Sequence, residues 1–535
     1  MMEACYIQVL VPLRLEWVPV YRCPRPLPEG AWVTVPLGHA RYKGVVYKTG
    51  VTPEVDDARI QDVLEFNEGL PAVSGAELKF WEFLSEYYLC TLGEVFKAAR
   101  PAGKINGEQK AVNIMERLRQ RLAVREEALT RKHKDSVRER LEAERDKIKA
   151  QIESLTRIPS DTPAPLNAGK PTLLCGPDRT AEYIKLCREA LEKGFNALLL
   201  IPEIVAGEQL QERFEEEFSG QVHCVNSHLS DVRRRKIAED VRTFGSQIVI
   251  GTRSSLFLPF SRLGLIIVEN EQDMLYKQTE PSPRYNARDA AVMLGRIHGA
   301  KVVLGSPWPS LESLYNALSG KYLQCNTQVR PAPVTLVDIS AERRKGGMVD
   351  RISRKLLEAA ALVKGPIALI RGWEKPDELT QEAARLLPGR QVDILTLQQA
   401  RLSDLRPYAL VAVLQADALF PEGDFRADER AVQALAMLEE QCSGTFLVQT
   451  AKADHPVFSA PGSIVEKLLQ ERKQFGLPPY TRLIDTDFGG HKERLSLQPG
   501  RSLAKRKQEL WTRALAFEKK TGGRARVIID VDPVV

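Results

Sequence analysis

The feature that most constrains this chain is a long alternation of short apolar runs with amphipathic stretches. PTLLCG, NALLLIP, VHCVNS, QIVIGT, LGLIIVE and KVVLGS come first, and VTLVDI, PIALIRG, QVDILT, LVAVLQAD and GTFLVQT follow. Such runs show no polar alternation, so both faces of each strand must be buried. The segments between them, such as RTAEYIKLCREALEKG and GEQLQERFEEEF, carry helical spacing. Strands buried on both faces and joined by helices make parallel, doubly wound sheets. The pattern predicts an α/β class with two tandem halves, at 161–325 and 326–458.

The 535 residues leave room for more. Residues 1–105 read as a small β-rich domain, with strand signals YIQVLVPL, AWVTVPLG and GVVYKTGV, closed by the helical stretch GAELKFWEFLSEYYLCTLGEVFKAA. Residues 106–160 are expected to be a charged helical segment or coiled-coil arm. From 108 to 157 there is no Gly or Pro, both charge signs are dense, and a thin apolar stripe recurs at helical spacing. That segment reads either as a solvated spacer or as a DNA-contacting arm. IPSDTPAPLNAGKP reads as a linker. Residues 459–535 form a small α+β C-terminal domain, read as the helix SIVEKLLQERKQFG, a Pro-Pro turn and the terminal strand RVIIDVDP.

A net charge of +6 permits a nucleic-acid partner without requiring one. The eight cysteines include no C-x2-C pair, so neither a zinc ribbon nor a redox dithiol is indicated, and no metal is expected. Scattered cysteines suit a reducing compartment. The apolar patch at the N-terminus is broken by Arg14 and Glu16, and no window is apolar enough for a membrane span. The expected address is the cytoplasm, with no membrane partner.

IPEIVAGEQL, NSHLSDVRRR, VIGTRSSLFLPFSRLGLIIVENEQDMLYKQ, YNARDAAVMLG and LGSPWPSLESL occur in order in the first α/β half. VAVLQADALFPEGDFRADERAVQ, LVQTAKADHP and ERKQFGLPPYTRLI follow in the second half and beyond. Together they resemble the PriA family, superfamily-two helicases that restart stalled bacterial replication forks. VPLRLEWVPV and VTVPLGHARYKGVV resemble that family's DNA 3′-end-binding domain, and VIIDVDP its closing strand. The resemblance implies two recA-like helicase lobes, ATP with Mg²⁺ as the fuel, DNA forks, 3′ ends and single strands as ligands, and primosome or replication-restart proteins as partners.

The chain departs from the family where nucleotide chemistry is done. A phosphate loop needs glycines whose neighbouring N–H groups cradle phosphate, and a Lys reaching the outer oxygens. Gly176-Pro177-Asp178-Arg179-Thr180 stands where the resemblance implies G-S-G-K-T. Pro177 removes a donor, Asp178 adds a negative charge, and Arg179 replaces the compact Lys. Gly176, Arg179 and Thr180 are therefore a vestigial nucleotide site. Glu269-Asn270-Glu271-Gln272 replaces D-E-E-H; Glu269 could still take a metal, but Asn270 cannot accept a proton from water. Gly305-Ser306-Pro307-Trp308-Pro309 replaces G-S-A-T-P. MLEEQCSG, Met437 to Gly444, lacks the arginines that the family directs at the γ-phosphate, and TLQQARLS replaces G-T-Q-M. The family's zinc-binding insertion has no counterpart here. No catalytic residue is expected at these degenerate positions, and ATP and Mg²⁺ matter only if binding survives.

For DNA, the resemblance places Glu16 and Trp17 at the base of a 3′ end. There a carboxylate can accept from exocyclic amines and a ring can stack. Arg41 and Lys43, read as a basic turn, are candidates for phosphate contact, and Arg253 for DNA or interlobe contact. Each also has a plain structural reading: a core Trp beside a solvated Glu, an exposed turn, a loop anchor. Asp530 and Asp532 read as surface acids of the last strand. The expectation is a replication-restart protein that binds forked or 3′-ended DNA as an assembly platform, with its motor lost. The alternatives are an active ATP-dependent 3′–5′ helicase with unusual motifs, a nucleotide-sensing scaffold, and an inactive relative.

Overall fold

The computed structural model describes residues 5–67, 70–100, 114–131, 135–156, 169–203, 208–226, 229–243, 245–327, 334–403, 405–421, 423–459, 463–522 and 524–534. The linker expected after the charged segment lies almost wholly outside them.

The N-terminal unit is a five-stranded antiparallel sheet in the order Val20–Cys23, Cys5–Leu10, Ala40–Thr49, Trp32–Leu37, Glu65–Phe66. Ile7, Val9, Val33 and Val35 face its core, as the period of two requires. Helices Gly75–Tyr88 and Leu92–Ala99 follow, each started by a capping box, Ser74 with Glu77 and Thr91 with Glu94. The charged segment folds as two helices, Ile114–Leu129 and Asp135–Thr156, that pack on each other. Arg125–Glu144 at 2.8 Å and Lys149–Glu126 at 2.9 Å tie them.

The two parallel lobes stand as expected. The first sheet has seven strands in the order Leu323–Asn326, Thr172–Cys175, Lys301–Ser306, Leu263–Glu269, Asn196–Leu200, Ile248–Gly251, Val222–Val225. All its pairings are parallel. Its central strand, Leu263–Glu269, is buried along its length until Glu269 emerges at the C-terminal end. The second sheet, also parallel, runs Val334–Asp338, Thr445–Thr450, Leu410–Val413, Ile367–Arg371, Val392–Thr396.

The C-terminal region is richer than its sequence reading. Beyond helix Ile464–Gln474 there is a hairpin, Arg482–Phe488 with His491–Leu497. A 20-residue helix, Arg501–Lys520, precedes the closing strand Val527–Val531. One apolar core joins this region to the N-terminal helices and the first lobe: Trp81, Leu84, Phe257, Tyr285, Leu510 and Val531 belong to it. Phe80 and Phe257 meet at 5.9 Å between ring centres. Lys277, from the LYKQ motif, is buried and donates to Val531 O at 2.6 Å while pairing with Asp530 at 2.6 Å. Asp532 accepts from Tyr87 Oη at 2.9 Å and pairs with Arg482 at 3.2 Å. The two acids expected at the surface are therefore joints between units.

Candidate functional site

Two regions collect part of the sequence-derived candidates. The first is the cleft between the lobes. Glu269 ends the central strand, and Gly176 to Arg179 connect strand Thr172–Cys175 to helix Thr180–Glu192. A phosphate loop would face solvent here; instead, Arg179 is 2% exposed. Its Nη2 lies 2.5 Å from Glu269 Oε1 and its Nε 3.2 Å from Oε2. Nη1 also donates to Gly176 O, and Nη2 reaches Asn270 Oδ1 at 3.4 Å. Tyr183 Oη donates to Glu269 Oε2 at 2.5 Å. Asn270 holds φ 52°, the left-handed region that Asn enters more readily than most residues.

The second lobe closes the arrangement. Glu440, on helix Ala427–Gln441, lies 2.9 Å from Arg179 Nη1 and accepts from Asp178 N at 3.1 Å. The segment in which the family resemblance would place arginines thus supplies a carboxylate. Burial alone would pull Arg179 down, but the Glu269 and Glu440 carboxylates hold it well above its ordinary value. Burial pushes Glu440 up, against the pull of Arg179. Further bridges join the lobes. Arg401 pairs with Asp273, Arg426 with Glu312 at 2.8 Å, and Glu429 accepts from Leu311 N at 2.9 Å.

This cleft does not fit Mg²⁺ and a triphosphate. Triphosphate needs a surplus of positive charge and free donors. Here one guanidinium faces two carboxylates and gives its donors to them. Contrary to the expectation that Glu269 could still take a metal, both its oxygens are engaged by Arg179 and Tyr183. Glu271 is turned elsewhere and fully buried. It accepts from Ser310 N at 2.7 Å and Ser313 Oγ at 2.9 Å, and pairs with Arg288 at 3.2 Å. It thereby anchors the N-terminus of helix Leu311–Leu318, where a carboxylate is favoured. Gln272 accepts from Ser306 Oγ at 2.6 Å. Thr180 is the first residue of its helix. Gly305 shows how tight the filling is: a Cβ there would lie 1.6 Å from Tyr183 Oη. Glu440 and Tyr183 were not among the sequence-derived candidates. Among the described residues, no group of three or more His, Cys, Asp or Glu could hold a metal ion.

The second region is a cavity of about 150 Å³ in the N-terminal unit, lined by Glu16, Trp17, the strand residues Val9 and Leu10, and Thr91 to Gly93. Trp17 is 60% exposed, so the reading of it as a core residue is wrong. Its loop lies so close to the start of helix Leu92–Ala99 that a Cβ at Gly93 would sit 1.8 Å from Leu13 O. Arg41 and Lys43 do not line this cavity. They also lie on a strand, paired with Pro36 and Thr34, rather than in the turn expected from sequence. The turn is only Gly38-His39. Arg253 donates to Leu275 O at 2.9 Å and does not line this cavity. The cavity does include one residue that sequence reasoning missed, Trp511 of helix Arg501–Lys520.

Among the described residues, no helix is long and apolar enough to cross a membrane. Residues 8–101 match the model of the PriA 3′DNA-binding domain (3′BD). Replication restart protein PriA of Chlamydia pneumoniae is 40% identical over 193 residues, 35% of this chain and 26% of the relative. The Rickettsia prowazekii protein is 31% identical over 299 residues, 55% and 40%, and that of Haemophilus influenzae 37% over 202 residues, 36% and 27%. The chain therefore spans about a quarter to two fifths of the length of these relatives. Among solved structures, RecG bound to a three-way DNA junction has a TM-score of 0.39 at 14% identity, covering 75% of this chain and 54% of RecG, a distant likeness. Through the match at residues 8–101 and aligned stretches of 31 to 40% identity, the chain resembles replication restart protein PriA.

Proposed function

We propose that this chain is a cytoplasmic replication-restart protein that binds forked or 3′-ended DNA and serves as a platform for primosome proteins, without turning over ATP. The single observation that carries the loss of turnover is Arg179, buried between Glu269 and Glu440. The guanidinium that stands where a working motor would place its phosphate-binding cation is itself neutralised by two carboxylates. Asn270 adds a second defect, since an amide cannot take the proton of an attacking water. What supports DNA binding is the domain match at residues 8–101 and the exposed Trp17 beside Glu16 at the rim of a cavity.

Phosphate release from ATP with Mg²⁺ and forked DNA tests the motor. The expected result is no release above buffer. Turnover of about 1 s⁻¹ or faster, the low end for enzymes, and abolished by Glu269→Ala, contradicts the proposal.

A further inference from the structure

We infer that the DNA-end cavity is composite, with Trp511 of the C-terminal helix as a second aromatic wall facing one unpaired 3′-terminal base. This rests on the reading of Glu16 and Trp17 as an end-binding pair. The cavity holds about 150 Å³, a volume that admits a single benzene-sized ring. One base fits its scale; a base pair does not. Two tryptophans that line one small cavity offer a base two faces for stacking, the sequence-tolerant way to hold a single strand. Glu16 on the same lining disfavours a terminal phosphate by charge.

Trp511 is held in place by its helix. Lys507, Trp511, Ala514 and Glu518 follow at spacings of four, three and four, so they share one face. Lys507 donates to Tyr87 O and lies 4.0 Å from the Tyr87 ring centre. Ala514 is buried. Glu518 accepts from Arg14 at 2.7 Å, and Arg14 lies 3.9 Å from Glu94 of the capping box that starts helix Leu92–Ala99. Arg14 stands two residues before Glu16. One helix of the C-terminal unit therefore both presents Trp511 to the cavity and fixes the loop that carries Glu16 and Trp17. Lys505 and Arg506 on the same helix are exposed, as phosphate contacts require.

The test uses the full chain and a single strand whose 3′-terminal base is 2-aminopurine, ending in a hydroxyl or a phosphate. Affinity comes from anisotropy, stacking from quenching of the 2-aminopurine, and folding from the melting temperature. The wild type should prefer the hydroxyl end and quench the base. Trp17→Ala and Trp511→Ala should each weaken hydroxyl-end binding by about fivefold or more and relieve the quenching, the loss of one stacked face. Trp511→Phe should keep both. If Trp17→Ala loses the end and Trp511→Ala does not, the composite wall is wrong and end binding stands. If Trp511→Ala and Trp511→Phe fail alike with a lowered melting temperature, Trp511 serves docking alone, which also overturns the inference. If the wild type treats both ends equally, the end-binding reading itself is wrong.

Discussion

The interlobe cleft and the N-terminal cavity descend from the same kind of question, how a protein presents chemistry to a ligand, and they answer it in opposite ways. In the cleft, Arg179 is 2% exposed and its donors go to Glu269, Gly176, Asn270 and Glu440. In the cavity, Trp17 is 60% exposed beside an exposed Glu16. A buried charge is tolerated only when paired, and Glu269 and Glu440 supply the pairing for Arg179. An exposed indole on a cavity rim leaves apolar area in water that a ligand can cover. The contrast sets residues that hold the lobes together against residues left open at a cavity, and mutations should dissociate stability from the proposed DNA-end binding.

The largest effect is expected at Arg179. Arg179→Ala leaves two carboxylates facing each other, and removing one partner of a buried pair costs about 3–5 kcal/mol. Glu269 and Glu440 keep 16% and 18% side-chain exposure, so a loss near about 3 kcal/mol is expected in denaturant melts. DNA-end affinity should not change. Adding Glu440→Gln to Arg179→Met should recover part of the loss, because Glu269 then no longer faces a second carboxylate.

Trp17→Ala should do the reverse. Its removal from the surface changes stability by less than about 0.5 kcal/mol, while end affinity by anisotropy falls by about 1–3 kcal/mol. A stability loss as large as that of Arg179→Ala would erase the distinction between the two regions.

Gly305→Ala sharpens the cleft side. The new methyl must displace Tyr183 Oη from Glu269, and overpacking of this kind costs about 1–3 kcal/mol. The variant should melt earlier and still bind DNA ends.

The smallest expected effect depends on pH. Burial lowers the Lys507 ammonium from 10.5 to about 8; Asp532 opposes this and Arg482 adds to it. Between those values the unfolded chain holds a proton that the folded chain has released. Stability should therefore rise with pH, by about 1 kcal/mol from about pH 8 to about 9.5. Lys507→Met should flatten that slope in melts recorded across the same range.

The parallel lobes are legible in the sequence because central strands buried on both faces leave uninterrupted apolar runs, as LGLIIVE does. The edge strand Leu323–Asn326 is exposed throughout and leaves no such run. The C-terminal hairpin carries a readable signal, Gly489-Gly490 between LIDTDF and HKERLSL. The helix after it keeps apolar residues at Leu503, Leu510, Ala514 and Phe517. Without that helix Trp511 has no address, so the second wall of the cavity stays hidden. The cleft is half legible. The sequence shows that the Lys and the acid pair are missing, but not that Arg179 turns inward, because its partner Glu440 stands 261 positions away. Pairing at that distance is a property of the docked lobes.

The most direct test of the filled cleft is calorimetric titration of the full chain with MgATP in the presence of forked DNA. No saturable heat is expected, because Glu269 and Glu440 occupy the cation that a triphosphate would need. Saturable binding that disappears in Glu269→Ala would contradict that expectation.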